Sequence, residues 1–211
     1  MGCVETAAIA HLLQPFIELD EKRLRFISTH IDLLLKWNAR INLTAIRDPN
    51  EIVQRHFGES LFAGKYLLEQ KRPQTAIDLG SGAGFPGIPF AMLATDVQVT
   101  LIESQQKKAT FLKELIHAVG LNSVKVFSDR AENYPDIADL VMLRAVEKFD
   151  QALPMAIRLT KAGGRIALMI GSGQVESAKK IAAEVVWESP VGVPCSLSRD
   201  LLVGIKQLKV G

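Results

Sequence analysis

The chain has 211 residues, 48% of them hydrophobic and 23% charged, with a formal net charge of +2 at neutral pH. That length suits one sizeable domain with a small appendage, and no repeat, low-complexity tract or apolar run of membrane-spanning length breaks it. The mild positive charge permits a local basic patch for nucleic acid without requiring one. Two cysteines, Cys3 and Cys195, are too few and too far apart for a disulfide framework or a metal cluster, so the expectation is a cytoplasmic protein with no metal and no membrane association. Met1 to Thr6 formally fits an N-myristoylation pattern, but no polybasic tract follows to reinforce an anchor, and the plain approach to a helix is the preferred reading.

Residues 6–17 carry Ile9, Leu12, Leu13, Phe16 and Ile17 at helical spacing, with Pro15 disturbing the last turn. A second helix is expected from an Asp20 cap to about Trp37, its apolar stripe made by Leu24, Ile27, Ile31, Leu34 and Leu35. The segment 37–49 is different, because Trp37, Asn38, Arg40, Asn42 and Arg47 are side chains that a plain helix hairpin has no use for. Thr44 or Asp48 can cap the helix that follows, with Pro49 in its first turn. Arg55, His56 and Ser60 come next. A lone histidine beside Phe57 reads first as a hydrogen-bonded structural residue and second as a contact to cofactor or substrate.

The organising stretch is Ala76-Ile77-Asp78-Leu79-Gly80-Ser81-Gly82-Ala83-Gly84-Phe85-Pro86-Gly87. An apolar strand at 75–79 ends in three alternate glycines, which lets the backbone turn tightly and a ligand approach the main chain. A second strand, 97–102, ends in Glu103, a carboxylate placed to accept from both hydroxyls of a ribose. A dinucleotide fingerprint would space its glycines G-x-G-x-x-G over a pyrophosphate. Here Phe85 takes the third glycine's place, Asp78 stands two positions before the first glycine, and prolines follow at 86 and 89. The pattern is similar to the first motif of S-adenosylmethionine-dependent methyltransferases, whose cofactor has a sulfonium and no phosphate.

Beyond Glu103, a helix is expected over about 105–119, burying Phe111, Leu112, Leu115 and Val119 and ending at Gly120. Its first turn holds Lys107 and Lys108, unfavourable for the helix dipole and suited to RNA phosphate or to a solvated face. Strands are expected at 124–127 and 138–143, the latter running into Arg144, whose charge at the end of a buried strand needs a partner or solvent. A helix at about 150–159, a turn at Gly163-Gly164, a fifth strand at 165–170 and two final strands at 184–188 and 201–208 complete the pattern.

W-N-x-x-x-N-L-T-x-x-x-D from Trp37, R-H-x-x-x-S from Arg55 and D-x-G-S-G-x-G-x-P-G-I-P from Asp78 together resemble the bacterial glucose-inhibited division protein B family, over about residues 26–209. The resemblance implies an α/β fold with a Rossmann-like class I methyltransferase sheet, mostly parallel with the last strand antiparallel. An N-terminal helical extension (1–72) would pack on a cofactor-binding core (73–211). It implies methyl transfer from S-adenosylmethionine to N7 of a guanine in small-subunit (16S) ribosomal RNA, within the small subunit, by a cytoplasmic monomer. Asp78, Gly80, Gly82, Gly84, Phe85, Glu103, Ala131, Glu132 and Arg144 are the implied cofactor-binding residues, with Ala131 and Glu132 beside the adenine. Arg144 is the implied catalytic residue, expected to hold the cofactor carboxylate or an RNA phosphate. Asn38, Asn42, Arg55, His56, Lys107 and Arg199 are the implied RNA contacts. The chain departs from the family pattern with Gly58 for a larger residue, Glu59 for aspartate, Leu143 for serine and Ile170 for lysine.

Missing residue types narrow the acceptor. Leu143-Arg144-Ala145-Val146 is no N-P-P-[FY]-like turn of amino-nitrogen methylation, and neither cysteine is placed as the nucleophile that cytosine C5 requires. Guanine N7 presents a free lone pair and needs positioning rather than a base. Three alternatives remain: a methyltransferase for another RNA, a catalytically weak RNA-binding relative, and a nicotinamide-dependent oxidoreductase, which the glycine spacing disfavours.

Overall fold

The structure, a computed structural model, describes residues 5–144 and 149–207. The Gly2-Cys3 pattern and the Ala145-Val146 end of the fourth-strand turn lie outside the described residues.

Helix α1 (Thr6–Leu13) stops just before Pro15, and α2 (Glu21–Asn38) begins at Asp20, whose carboxylate accepts the Arg23 N–H at 2.8 Å. Asp48 rather than Thr44 caps the next helix, accepting the Glu51 N–H at 2.9 Å at the head of α3 (Pro49–Glu51). The chain then passes through a π-helical stretch, Ile52–Gly58, before α4 (Glu59–Gln70). Wide turns of this kind gather at functional sites, and this one carries Arg55 and His56. Gly58 fits there for a packing reason. A Cβ at that position would lie 2.7 Å from the Phe16 ring, so Phe16 fills the space a larger residue would take.

The sheet is built from β1 (Thr75–Leu79), β2 (Gln98–Ile102), β3 (Val124–Phe127), β4 (Ala138–Arg144), β5 (Thr160–Gly171), β6 (Val185–Trp187), β7 (Val191–Gly192) and β8 (Arg199–Lys206). Its order is β3-β2-β1-β4-β5-β8-β6, with β7 on β8; β1 to β5 pair in parallel, and β8 runs antiparallel to β5, β6 and β7. The order reverses between β1 and β4, and an open α/β sheet binds ligands at the carboxyl ends of its strands at such a point. The expected mostly parallel sheet with an antiparallel last strand is what forms. One boundary moves: β5 starts at Thr160, which pairs with Ala138 before the chain bulges through Gly163 (φ 74°) and resumes pairing at Arg165 with Leu140.

Helices α5 (Gly87–Leu93) and α6 (Gln106–Val119) join α1, α2 and α4 on one face; α7 (Phe149–Leu159) and α8 (Val175–Ile181) cover the other. The prolines at 86 and 89 do not prevent α5, since both occupy its start, where a backbone N–H has no helical partner. Gly120 closes α6 in the left-handed conformation, φ 71°. Ile9, Leu34, Phe57, Phe90, Leu101 and Phe111 belong to one continuous core between the N-terminal helices and the sheet. Among the described residues no helix is long and apolar enough to cross a membrane, and no three His, Cys, Asp or Glu side chains gather as metal ligands.

Candidate functional site

The loop after β1 is shaped by Asp78. Its Oδ2 accepts the Ser81 hydroxyl at 2.6 Å and the Gly87 N–H at 2.9 Å, drawing the loop back over the strand end. A side chain at Gly87 would strike Asp78 at 2.6 Å and Leu101 at 2.5 Å, so that hydrogen bond depends on glycine. Asp78 Oδ1 is buried without a partner among the described residues, and burial pushes the carboxyl up to about 6 against the pull of Ser81 and Gly87. Gly80, Gly82 and Gly84 all have positive φ (74°, 55° and 90°) but differ in what faces them. Above Gly80 the space is open, and above Gly82 there is only a loop carbonyl at 3.8 Å; a Cβ on Gly84 would meet Ile88 at 2.8 Å. Two glycines therefore leave room for a ligand, and the third packs inward.

Glu103 closes the other side. Its Oε2 accepts the Gly82 N–H at 3.0 Å and its Oε1 the Gln105 N–H at 2.8 Å, fixing the carboxylate against the glycine loop with a lone pair left on each oxygen. Beyond β3, Ala131 and Glu132 lie in a short 3₁₀ turn, Ala131–Asn133, whose Ala131 carbonyl accepts from Arg158 of α7. Open backbone at Gly80 and Gly82, an unpartnered Asp78 oxygen and the Glu103 carboxylate at the strand end fit a nucleoside-bearing ligand with a cationic portion.

Phe85 is enclosed rather than presented. The His30 ring stacks on it at 4.9 Å (7° between planes) and the His56 ring at 4.9 Å (29°), with Phe57 edge-on at 4.9 Å. His30 is fully buried and its Nε2 lies 3.0 Å from the Ala83 carbonyl, which requires the proton on Nε2. His56 Nε2 bonds to Thr44 Oγ1 at 2.8 Å. Burial lowers His30 to about 4; burial, helped by the Arg144 charge, lowers His56 to about 3. Both imidazoles are neutral at physiological pH.

Glu59, at the start of α4, is the electrostatic hub. Its carboxylate, 5% exposed, accepts from Arg144 Nη2 at 2.9 Å, from Arg199 Nη1 at 2.8 Å and from Arg55 Nε at 3.2 Å. Arg144, 7% exposed, spends its remaining terminal donors on Ser60 Oγ (3.3 Å), the His56 carbonyl (3.2 Å) and the Arg55 carbonyl. Burial pulls Arg144 down to about 10 against the attraction of Glu59, so it remains protonated at neutral pH.

A cavity of about 470 Å³ lies between the glycine loop and the segment 42–46; Gly80, Gly82, His56, Lys108, Arg144 and Arg199 line it. A second, also about 470 Å³, shares Asn42 and Lys108 with it and adds Arg40 and Lys107. The two make a groove with basic walls running from the strand ends to the start of α6.

The family model described as GidB, rRNA small subunit methyltransferase G, matches residues 23–196. The chain belongs to that family. Curated relatives named "Ribosomal RNA small subunit methyltransferase G" include that of Roseiflexus castenholzii, 34% identical over 203 residues (90% of this chain, 86% of that one). That of Xylella fastidiosa is 35% identical over 195 residues (90% of each chain). Among solved structures, a SAM-dependent methyltransferase from Aquifex aeolicus superposes with a TM-score of 0.58 at 17% identity, covering 75% of this chain and 94% of that one. P. horikoshii TYW2 in complex with MeSAdo gives 0.59 at 17% identity, covering 72% and 63%. At that identity these two speak for the fold alone.

In this methyltransferase the expected site residues divide. Gly80, Gly82, Glu103, Asn42, Arg55, His56, Lys107, Arg144 and Arg199 line or border the groove. Asn38 does not: it is 5% exposed, its Oδ1 accepts the N–H groups of Leu43 and Thr44, and its Nδ2 donates to the Thr44 carbonyl. It folds the segment that presents Asn42 instead of reaching RNA. Gly84 is likewise packed inward, Phe85 lines the cavity while its ring is held by His30 and His56, and Asp78 acts through the loop it folds. Arg144 was expected to hold a cofactor carboxylate or RNA phosphate, but both its terminal nitrogens are engaged by the π-helical stretch and α4, because a buried cation takes the nearest acceptors. Sequence reasoning missed His30, although its place three residues after Ile27 and four before Leu34 on the α2 stripe signals burial.

Proposed function

We infer that this chain transfers a methyl group from S-adenosylmethionine to N7 of a guanine in the ribosomal RNA of the small subunit. The observation that carries the choice of acceptor is the chemistry of the groove wall. Apart from Glu103, whose carboxylate is held by two backbone N–H groups, its titratable groups beside the glycine loop are Arg55, His56, Lys108, Arg144 and Arg199, four cations and an imidazole lowered to about 3. None is suited to take a proton at neutral pH, whereas guanine N7 offers its lone pair without losing one. When bound, S-adenosylmethionine would supply an electrophilic methyl carbon, its sulfonium sulfur taking back the S–CH₃ electron pair as the N7 lone pair makes the new bond.

The chain's own residues hold and align. Glu103 accepts from the ribose hydroxyls with its spare lone pairs, and Gly80 and Gly82 let the main chain come close. The turn with Ala131 and Glu132 borders the adenine. Asn42, Arg55, Lys107 and Arg199 meet RNA, the cations chiefly through phosphate. Arg144 is a positioning residue that fixes the π-helical stretch over the end of β4. The assembled subunit is the substrate on this reading, since a groove with a handful of cations selects by shape better than by sequence. Transfer of labelled methyl from S-adenosylmethionine to small subunits lacking the modification, followed by chain cleavage at 7-methylguanine, tests it. One new cleavage site is expected; cofactor binding with no transfer would overturn the acceptor assignment.

A further inference from the structure

A third cavity, about 320 Å³, opens at the carboxyl end of β5 and shares Arg144 and Arg199 with the groove beside the glycine loop. Its size lies at the low end of small-molecule sites, about 300–1,000 Å³, and suits a single base. Met169, Ile170 and Val193, each under 9% exposed, form apolar walls. Ile170 stands where the family resemblance has lysine, and the substitution makes this wall apolar.

Of the polar groups lining this cavity, Glu59, Arg144 and Arg199 are paired with one another, and Asp200 and Gln174 are complementary to one edge of one base. Asp200, half-buried on β8 and paired through its backbone with Ile170 and Gly192, has no hydrogen bond or ion pair from its carboxylate among the described residues. Gln174 uses its side-chain carbonyl to accept the Gly171 N–H at 3.0 Å, which leaves its amide N–H₂ as a donor at the cavity mouth. A bidentate acceptor with a neighbouring donor matches N2–H₂, N1–H and O6 of guanine, the order along that base's Watson–Crick edge. Adenine and the pyrimidines do not present that order. An enzyme that alkylates N7 must leave the Hoogsteen edge free for the methyl donor, so a grip on the Watson–Crick edge is the compatible one.

We propose that this cavity receives the target guanine and that Asp200 is its specificity-determining residue, accepting from N1–H and N2–H₂ while Gln174 donates to O6. This rests on the guanine-N7 reading above. Asp200 also contributes to rate: methylation puts a positive charge on the ring, and a carboxylate bonded to N1–H attracts that ring more strongly in the transition state than in the ground state.

The test compares wild type, Asp200→Ala and Asp200→Asn on small subunits reconstituted with guanosine or inosine at the methylated position. Inosine lacks the N2 amino group. Losing one hydrogen bond to a charged acceptor lowers wild-type kcat/KM about tenfold or more on inosine. Asp200→Ala is expected to lose at least as much on guanosine and little further on inosine, with Asp200→Asn between, while the Kd for S-adenosylmethionine stays within about twofold for all three. The unchanged Kd shows that the variants fold. An equal inosine penalty in wild type and Asp200→Ala, or full activity of Asp200→Ala on guanosine, overturns the assignment and leaves guanine-N7 transfer standing. Wild type that forms no 7-methylguanine on guanosine subunits overturns both.

Discussion

Gly80 and Gly84 share a sequence motif and a left-handed backbone, yet the structure gives them different work, and substitution separates the two. Alanine at either position is strained, at a cost of about 1 kcal/mol or more. At Gly84 the new Cβ also meets Ile88 at 2.8 Å inside the core, which adds about 1–3 kcal/mol of overpacking. Gly84→Ala is therefore expected to unfold at clearly lower urea than Gly80→Ala, while Gly80→Ala gives up cofactor affinity and loses only the backbone-strain part of that stability; urea titration and calorimetry check both. The histidines flanking Phe85 make a pH prediction. An unfolded histidine takes up a proton near 6.5, whereas folded His30 and His56 resist it until about 4 and 3. Below pH 6.5 the unfolded state thus binds more protons, and stability falls on acidification by about 1.4 kcal/mol per pH unit for each histidine. Asp78 opposes this below its folded value of about 6, because there the folded state holds a proton that the unfolded carboxylate has lost. Below pH 6 Asp78 therefore cancels about half of the combined histidine effect, and the net loss is expected to be about 1.4 kcal/mol per pH unit between pH 6 and 5. His30→Gln, which keeps a donor for the Ala83 carbonyl without titrating, should show a shallower pH dependence in denaturant melts. None of this was legible from residues 78–87 alone. The motif announces a turn and a ligand, but which glycine faces the ligand depends on Ile88 and His30, which packing brings alongside.

At the scale of elements, Glu59 ties α4 to β4 and β8. Removing its charge leaves Arg144, 7% exposed, without its ion-pair partner, and breaking a buried pair costs about 3–5 kcal/mol. Glu59→Gln is expected to lower stability by about that much in urea melts, more than the exposed-pair variant Glu176→Gln, where about 0–1 kcal/mol is at stake. A loss no larger than that of the surface variant would mean that water entering from the groove solvates the three arginines once the carboxylate charge is gone. The elements themselves were largely readable: Asp20, Pro15 and Gly120 punctuate helices by their own chemistry, and the strands ending in Leu79, Ile102 and Phe127 are short apolar runs bounded by polar turns. The π-helical stretch was not readable, because the packing around it is non-local: its Gly58 lies against Phe16, a residue from the end of the first helical segment. The short helix α8 and the strand β7 also lack a periodic apolar pattern long enough to announce them.

For the whole molecule, we propose that the boundary near residue 72 divides functions rather than folding units. Residues 1–72 hold the π-helical stretch and the segment around Asn42, and residues 73–211 hold the glycine loop and Glu103. The core does not respect that division. Ile9, Ile27, Leu34, Phe57 and Leu61 from the helices pack in one cluster with Phe90, Leu101, Phe111 and Leu115 from the remainder. Each such side chain contributes about 1.5–3 kcal/mol when buried, so losing the helices removes more than the usual net stability of a domain, about 5–15 kcal/mol. Arg144 would also lose Glu59, Ser60 and both backbone acceptors at once. The full chain is expected to unfold in a single cooperative transition seen identically by tryptophan fluorescence and circular dichroism, with Trp37 reporting from the helices and Trp187 from β6. A fragment of residues 73–211 is expected to show no cooperative transition and to bind a hydrophobic dye, because the sheet face that the helices cover would be open to water. A fragment that melts cooperatively and binds S-adenosylmethionine would show instead that the sheet with α5 to α8 is an autonomous cofactor-binding unit, and that the shared core only docks the helices onto it.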